Sequence, residues 1–242
     1  MVSLKFYLTI TLVVLSIGCS GEDNQVDPLV EESEAVGAIP LIPHQGIPDP
    51  FNLFTVIDAD VERKDFNKVS KWYEEAPNLQ VFKLFAGDEF NGERKHARTE
   101  AGQGLKWKEG SEWHVFEATM RPSDKINITY TIAQLFAGCC GPQLRVEVKP
   151  NGRIHVGSRS NGNLRISSDE DWADGTREFR IKIRTNGREM EVFFNEELKF
   201  SGLSEESVKG NDSALYHFRW GVYSNDKMLQ PLSNTVTNAT RH

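Results

Sequence analysis

The chain has 242 residues, 38% hydrophobic and 26% charged, an ordinary composition for a soluble folded domain with a sizeable core. Its 28 Lys and Arg against 35 Asp and Glu give a formal charge of −7, which argues against a general nucleic-acid binder; a polyanion would have to be held on a local basic face. Three cysteines without paired Cys-x-x-Cys motifs argue against structural zinc, and no metal or cofactor is expected.

Residues 1–18 read as a signal peptide. Lys5 precedes the apolar run Phe6 to Ile17, too short to span a bilayer but suited to a secretory core. The run ends in Ser16-Ile17-Gly18-Cys19, which resembles a bacterial lipobox and makes Cys19 the expected lipidated residue. Residues 19–50 read as a flexible tether: Ser20 to Glu34 is acidic and aperiodic, and Pro40, Pro43, Pro48 and Pro50 keep the backbone extended. The expected product is a monomeric cell-envelope lipoprotein, at the outer membrane or cell surface. Its folded domain spans residues 51–242, and only the lipid touches the membrane.

Within that domain Asp60 to Ala76 reads as a helix, from Val61, Phe66, Val69, Trp72 and Tyr73, ended by Pro77. Everything after it reads as strand. Leu79–Phe85 leads through a turn near Gly87 and Gly92 to Lys95–Glu100, and Glu112–Arg121 and Lys125–Ala137 are long alternating runs. Phe136-Ala137-Gly138-Cys139-Cys140-Gly141-Pro142 then puts two cysteines side by side, as a vicinal disulfide or as free thiols. Leu144–Lys149 and Arg153–Ser158 flank Asn151-Gly152, and Phe179–Thr185 and Glu189–Phe194 flank Asn186-Gly187, a hairpin signal when both central residues take positive φ. Tyr216–Ser224 and Leu232–Thr240 close the chain. Many antiparallel strands, one helix and no βαβ rhythm predict an all-β two-sheet sandwich, or jelly roll.

Strand alternation then sorts the polar residues. In Lys95–Glu100 it puts His96, Arg98 and Glu100 in a row on one face, each about 7 Å from the next. Gln134 sits among apolar neighbours in Asn127–Ala137, facing either the core or a cleft. In Tyr216–Tyr223 the set His217, Arg219, Gly221 and Tyr223 faces away from the core set Phe218, Trp220 and Val222, and suits a sugar groove in which Gly221 leaves room. His114 and His155 lack matching partners, and Trp72, Trp107, Trp113 and Trp172 read as core or edge aromatics.

Arg98-Thr99-Glu100, Gln134-Leu135-Phe136 and Phe218-Arg219-Trp220-Gly221-Val222-Tyr223 together resemble the strand motifs of the jelly-roll polysaccharide lyases, the alginate lyase superfamily with its glucuronan lyase branch. The likeness covers roughly residues 80–240, and the order and spacing of short motifs carry it. Two departures stand out. Alginate lyases typically carry Arg-x-Glu-Leu-Arg, where this chain ends in Ala101-Gly102, and Gln-Ile-His, where it has Phe136.

The resemblance implies β-elimination on an anionic, uronate-containing polysaccharide. Arg98 and Gln134 would neutralise the carboxylate, and Tyr223 and His96 would move the proton, His96 replacing the imidazole absent at Phe136. Arg219 would bind a neighbouring uronate, with Glu100 orienting Arg98 and His217 near the groove. A non-catalytic carbohydrate-binding lipoprotein on the same fold is the alternative. A sandwich glycoside hydrolase would need paired carboxylates along one strand, and none is found.

Overall fold

A computed structural model describes residues 54–57, 62–63, 72–76, 78–88, 96–103, 106–123 and 125–242. Cys19 and the leader and tether expectations therefore lie outside the described residues. The described strands form two antiparallel sheets. Sheet A runs edge to edge as β10 (Gly162–Arg165), β9 (Ile154–Ser158), β8 (Gly141–Val148), β7 (Tyr130–Ala137), β14 (Tyr216–Ser224), β5 (Ala97–Gln103), β1 (Phe54–Ile57) and β2 (Glu62–Arg63). Sheet B runs as β13 (Glu197–Leu203), β12 (Glu189–Phe194), β11 (Phe179–Thr185), β6 (His114–Pro122), β15 (Leu232–Arg241), β4 (Leu79–Leu84) and β3 (Tyr73–Ala76). This is the predicted sandwich. Its only helical element among the described residues is a single 3-10 turn at Glu206–Val208.

Alternation puts the apolar half of each strand between the sheets. From sheet A come Leu135, Val146, Phe218 and Trp220, and from sheet B Phe82, Phe116, Ile181 and Val192, all fully buried. Phe116 stacks on Trp220 with ring centroids 5.2 Å apart. Polar bonds also cross this core: Trp220 Nε1 donates to Gln80 Oε1 at 2.7 Å, and Gln80 Nε2 donates to the Tyr73 hydroxyl at 2.9 Å. Buried polar groups survive only when so satisfied, and here they also fix how one sheet sits on the other.

The helix expected over Asp60–Ala76 needs correction. Where described, this stretch is extended: Glu62–Arg63 pairs with β1 and Tyr73–Ala76 with β4, while residues 64–71 lie outside the described set. Ala76 pairs with Leu79, and Asn78 between them takes φ 58°, as a tight turn demands. Tyr73 is buried while its neighbour Glu74 is exposed and paired with Lys83, the two-residue period of a strand. Apolar residues spaced three and four apart had imitated a helix.

The two Asn-Gly loops join strands as expected, but by a different turn. Only the glycines are left-handed, Gly152 at φ 76° and Gly187 at φ 89°. Each asparagine side chain instead accepts a bond from the backbone N–H two residues on, Arg153 at 3.2 Å and Arg188 at 2.9 Å. In the β7–β8 connection, Cys139 and Cys140 are joined as a vicinal disulfide.

Candidate active site

Three adjacent strands of sheet A, β7, β14 and β5, carry the candidate residues, and their register decides which ones meet. Tyr223 lies opposite Arg98, Gly221 opposite Glu100, and Arg219 opposite Gly102 on one side and Gln134 on the other. Gln134 in turn faces Arg145 on β8. His96, Arg98, Glu100, Gln134, Arg219 and Tyr223 therefore share the outward face of sheet A, and Arg145 joins them. An irregularity near Ile132 shifts the register, so that Thr131, opposite Tyr223 and Glu147, turns to this face as well.

At the centre is Tyr223. Its hydroxyl lies 3.1 Å from His96 Nδ1 and donates to Asn225 Oδ1. The Arg98 guanidinium stands 4.9 Å from its ring centroid and that of Arg145 stands 5.4 Å away. Two cations thus flank this phenol, where a negatively charged ligand would be drawn to it.

Behind this front Glu100 is 1% exposed. Burial raises its pKa above the usual carboxylate value, against the pull of Arg98, Arg219, the Gln134 bond and Arg145. Gln134 Nε2 donates to Glu100 Oε1 at 2.6 Å, which fixes the amide and leaves its second N–H. Glu100 is therefore a buried support that holds Gln134.

His217 takes a similar rear position. It is 4% exposed, and its Nε2 accepts a bond from Arg219 Nε at 3.0 Å. Burial, with Arg219 and Lys106 nearby, lowers its pKa to about 3, so it remains a neutral acceptor. Phe136 lies opposite His217, and its ring carries the Arg219 guanidinium 4.1 Å from its centroid. Where the alginate lyase motif has an imidazole, this chain thus has an aromatic shelf for Arg219. The arginine missing at Gly102 is faced directly by Arg219, so a guanidinium still occupies that row.

Gly221 has a sharper role than leaving room for a sugar. Its φ is 137°, and a Cβ there would lie 2.3 Å from the Thr99 carbonyl oxygen. Its own carbonyl accepts a bond from Asn234 Nδ2 of sheet B at 3.0 Å. Only glycine lets β14 pass this close to β5.

Sequence reasoning missed Arg145 and Asn225. Alternation in Leu144–Val148 turns Arg145 and Glu147 outward, but nothing local says that β8 borders the tyrosine's own neighbour. Among the described residues no group of three or more His, Cys, Asp or Glu is placed to hold a metal. Of the other histidines, His114 stacks on Trp107 with centroids 4.3 Å apart, and His155 Nδ1 meets Asn163 Oδ1 at 2.6 Å.

Comparison with known proteins bears on the family and the fold. The family model described as alginate lyase matches residues 48–238. No curated protein matches the chain. The fold is similar to an alginate lyase of Pseudomonas aeruginosa, with TM-score 0.66, 13% identity and coverage of 81% of this chain and 99% of the other. A marine alginate lyase from Zobellia galactanivorans matches with TM-score 0.63, 13% identity and coverage of 78% and 94%. A family 7 alginate lyase variant in complex with its product matches with TM-score 0.64, 12% identity and coverage of 79% and 96%.

Proposed function

Because the chain belongs to the alginate lyase family, and is a polysaccharide lyase, we propose that it cleaves a uronate polymer of alginate or glucuronan type by β-elimination at the outward face of sheet A. One observation carries this reading: the Tyr223 hydroxyl against His96 Nδ1, with guanidinium groups of Arg98 and Arg145 beside the same ring.

The proton on C5 of a uronate is α to a carboxylate and becomes acidic only when that carboxylate's charge is balanced. Arg98 and the second N–H of Gln134 supply the balance, strongest as charge moves onto the carboxyl oxygens in the transition state. Tyr223 and His96 form the proton-handling pair. The phenol proton rotates from Asn225 Oδ1 to the imidazole, and the phenol oxygen takes the proton from C5. The C5–H electrons form the C4–C5 double bond, the C4–O4 bond breaks, and O4 takes its proton from the phenol. The imidazole then returns the borrowed proton, so the pair ends as it began. Arg219, braced by His217 and Phe136, binds a neighbouring carboxylate. Glu100 holds Gln134 from behind.

The test is a panel of uronate polymers followed by ultraviolet absorbance of the new double bond conjugated to the carboxylate. Absorbance that grows with alginate or glucuronan supports the reading, and a flat trace on every polymer overturns it. We propose further that Cys19 carries a lipid anchor and that the enzyme works at the cell envelope. Equal membrane association of wild type and Cys19→Ala would rule that out.

A further inference from the structure

Arg145 reaches Tyr223 from outside the tyrosine's own row. Register puts Glu147 in line with Tyr223, through Thr131, while Arg145 lies opposite Gln134. The Arg145 guanidinium nevertheless stands over the phenol ring, 5.4 Å from its centroid. β8 lies two strands from β14, about 10 Å by strand spacing, so the long side chain must cross β7 to get there. What it crosses is short: the irregularity near Ile132 turns Thr131 outward at this point, and Thr131 is buried. Glu147 does not claim the guanidinium, because its carboxylate is held by Lys149 Nζ at 2.6 Å and Asn163 Nδ2 at 3.3 Å.

Arg145 forms no ion pair among the described residues, and its buried Nε–H has no hydrogen-bond partner. Native proteins pair nearly all such donors, so an arginine kept here without one calls for a reason. The ring it covers supplies it. Around that ring stand His96 and Arg98 from the β5 side, Arg145 and the balanced Glu147 from β8, and the uncharged Asn225 and Thr131. Glu100 is buried behind them and bonded to Gln134. Once a uronate carboxylate takes the charge of Arg98, Arg145 is the guanidinium of the flanking two that still faces the phenol.

We propose, resting on the lyase reading above, that Arg145 is a positioning residue for the Tyr223 phenol and acts through that ring instead of touching substrate. When the phenol O–H bond breaks and its proton bonds to His96 Nδ1, the oxygen is left negative. Arg145 stabilises that charge across the ring and keeps all its own protons. The phenol is neutral at rest and charged only on the way to the C5 proton, so the stabilisation falls on turnover and not on binding. The sign with pH follows. At high pH the Tyr223–His96 pair loses its last proton and becomes phenolate with neutral imidazole; without the nearby cation that loss needs a higher pH.

The experiment compares kcat–pH profiles of wild type, Arg145→Gln and Arg145→Lys, each first checked for an unchanged melting temperature. Arg145→Met, which keeps the apolar stem, replaces Arg145→Gln if the amide melts early. The expected result for Arg145→Gln is a kcat lowered about tenfold, a KM within about twofold of wild type, and an alkaline limb moved up by about one pH unit. That is the size expected for one charge about 6 Å away in a partly screened site. Arg145→Lys keeps the charge and should restore most of both. A raised KM with kcat and the limb in place overturns the assignment, and so does a lowered kcat with the limb unmoved. A second measurement needs no substrate: ultraviolet titration of the Tyr223 phenol, read as the difference between each protein and its Tyr223→Phe counterpart. A higher midpoint in Arg145→Gln than in wild type supports the role, and equal midpoints overturn it. If wild type forms no unsaturated product on any uronate polymer, the lyase reading falls, and this titration still decides what Arg145 does to the phenol.

Discussion

The outward faces of the two sheets use the same residue types in opposite arrangements. On sheet B the cations have partners. Lys182 reaches Glu117 at 3.5 Å, Arg184 reaches Glu191 at 2.5 Å, Lys199 reaches Glu197 at 2.7 Å, and Arg180 reaches Glu196 at 2.6 Å as well as Glu117. On sheet A, Arg98, Arg145 and Arg219 gather round one buried carboxylate, Glu100, and an uncharged amide. A chain with net charge −7 thereby gathers three guanidinium groups on one face. The contrast is one of arrangement: on sheet B cations alternate with carboxylates, while on sheet A two guanidinium groups flank a phenol, where an anion would be drawn.

Substitutions can break this contrast, beginning where the effect is largest. Tyr223→Phe keeps the ring between the arginines and removes the hydroxyl. Steady-state kinetics should show turnover falling about 10²–10⁴-fold, with KM little changed. Arg98→Ala should lower kcat/KM about 10- to 100-fold, since a charge-assisted bond is worth ~1.5–3 kcal/mol. Both binding and turnover should suffer, because the carboxylate is charged throughout. The matching change on the other face, Arg184→Ala, should leave kinetics untouched and alter stability by no more than about 0.5 kcal/mol in denaturant melts. If Arg184→Ala slowed the enzyme as Arg98→Ala does, the distinction between the faces would be lost.

Two further changes sharpen the comparison through pH, with effects between those extremes. The pKa of His217 is about 3 when folded against 6.5 for the free group, so the unfolded chain binds the extra proton. Stability from this group is present above about 6.5 and drains away as pH falls toward 3; His217→Gln should flatten that slope in acid denaturation curves. Glu100 runs the other way. Its folded pKa is raised, so its contribution is complete below the unfolded value near 4.5 and is lost as pH rises through the folded value. Glu100→Gln should therefore gain stability relative to wild type in neutral solution and lose that gain in acid.

How much of this could be read from sequence differs by distance along the chain. Within one strand, alternation sufficed: it put His96, Arg98 and Glu100 on a common face and turned Phe218, Trp220 and Val222 inward. Which strands lie side by side is set by long-range pairing, so the Tyr223–His96 contact, 127 residues apart, was an expectation carried by family likeness. The depth of a polar residue was harder still. Glu100, Gln134 and His217 share the face of Arg98 yet lie nearly buried, because the long arginine side chains reach out over them. The false helix at 60–76 came from reading apolar spacing where a tight turn at Asn78 and the β4 partner decided the outcome.

The bridge between Cys139 and Cys140 has a consequence for what holds the domain together. A disulfide stabilises chiefly by restricting the unfolded chain, and the effect grows with the length of chain it encloses. Neighbouring residues enclose almost none, so this cross-link ties nothing distant and withholds little freedom from the unfolded ensemble. A reductant opens the ring without releasing either sheet, and the melting transition should stay close to its oxidised position. Folding then needs no search among alternative pairings of these two thiols, since each has its partner beside it from the moment the chain is made.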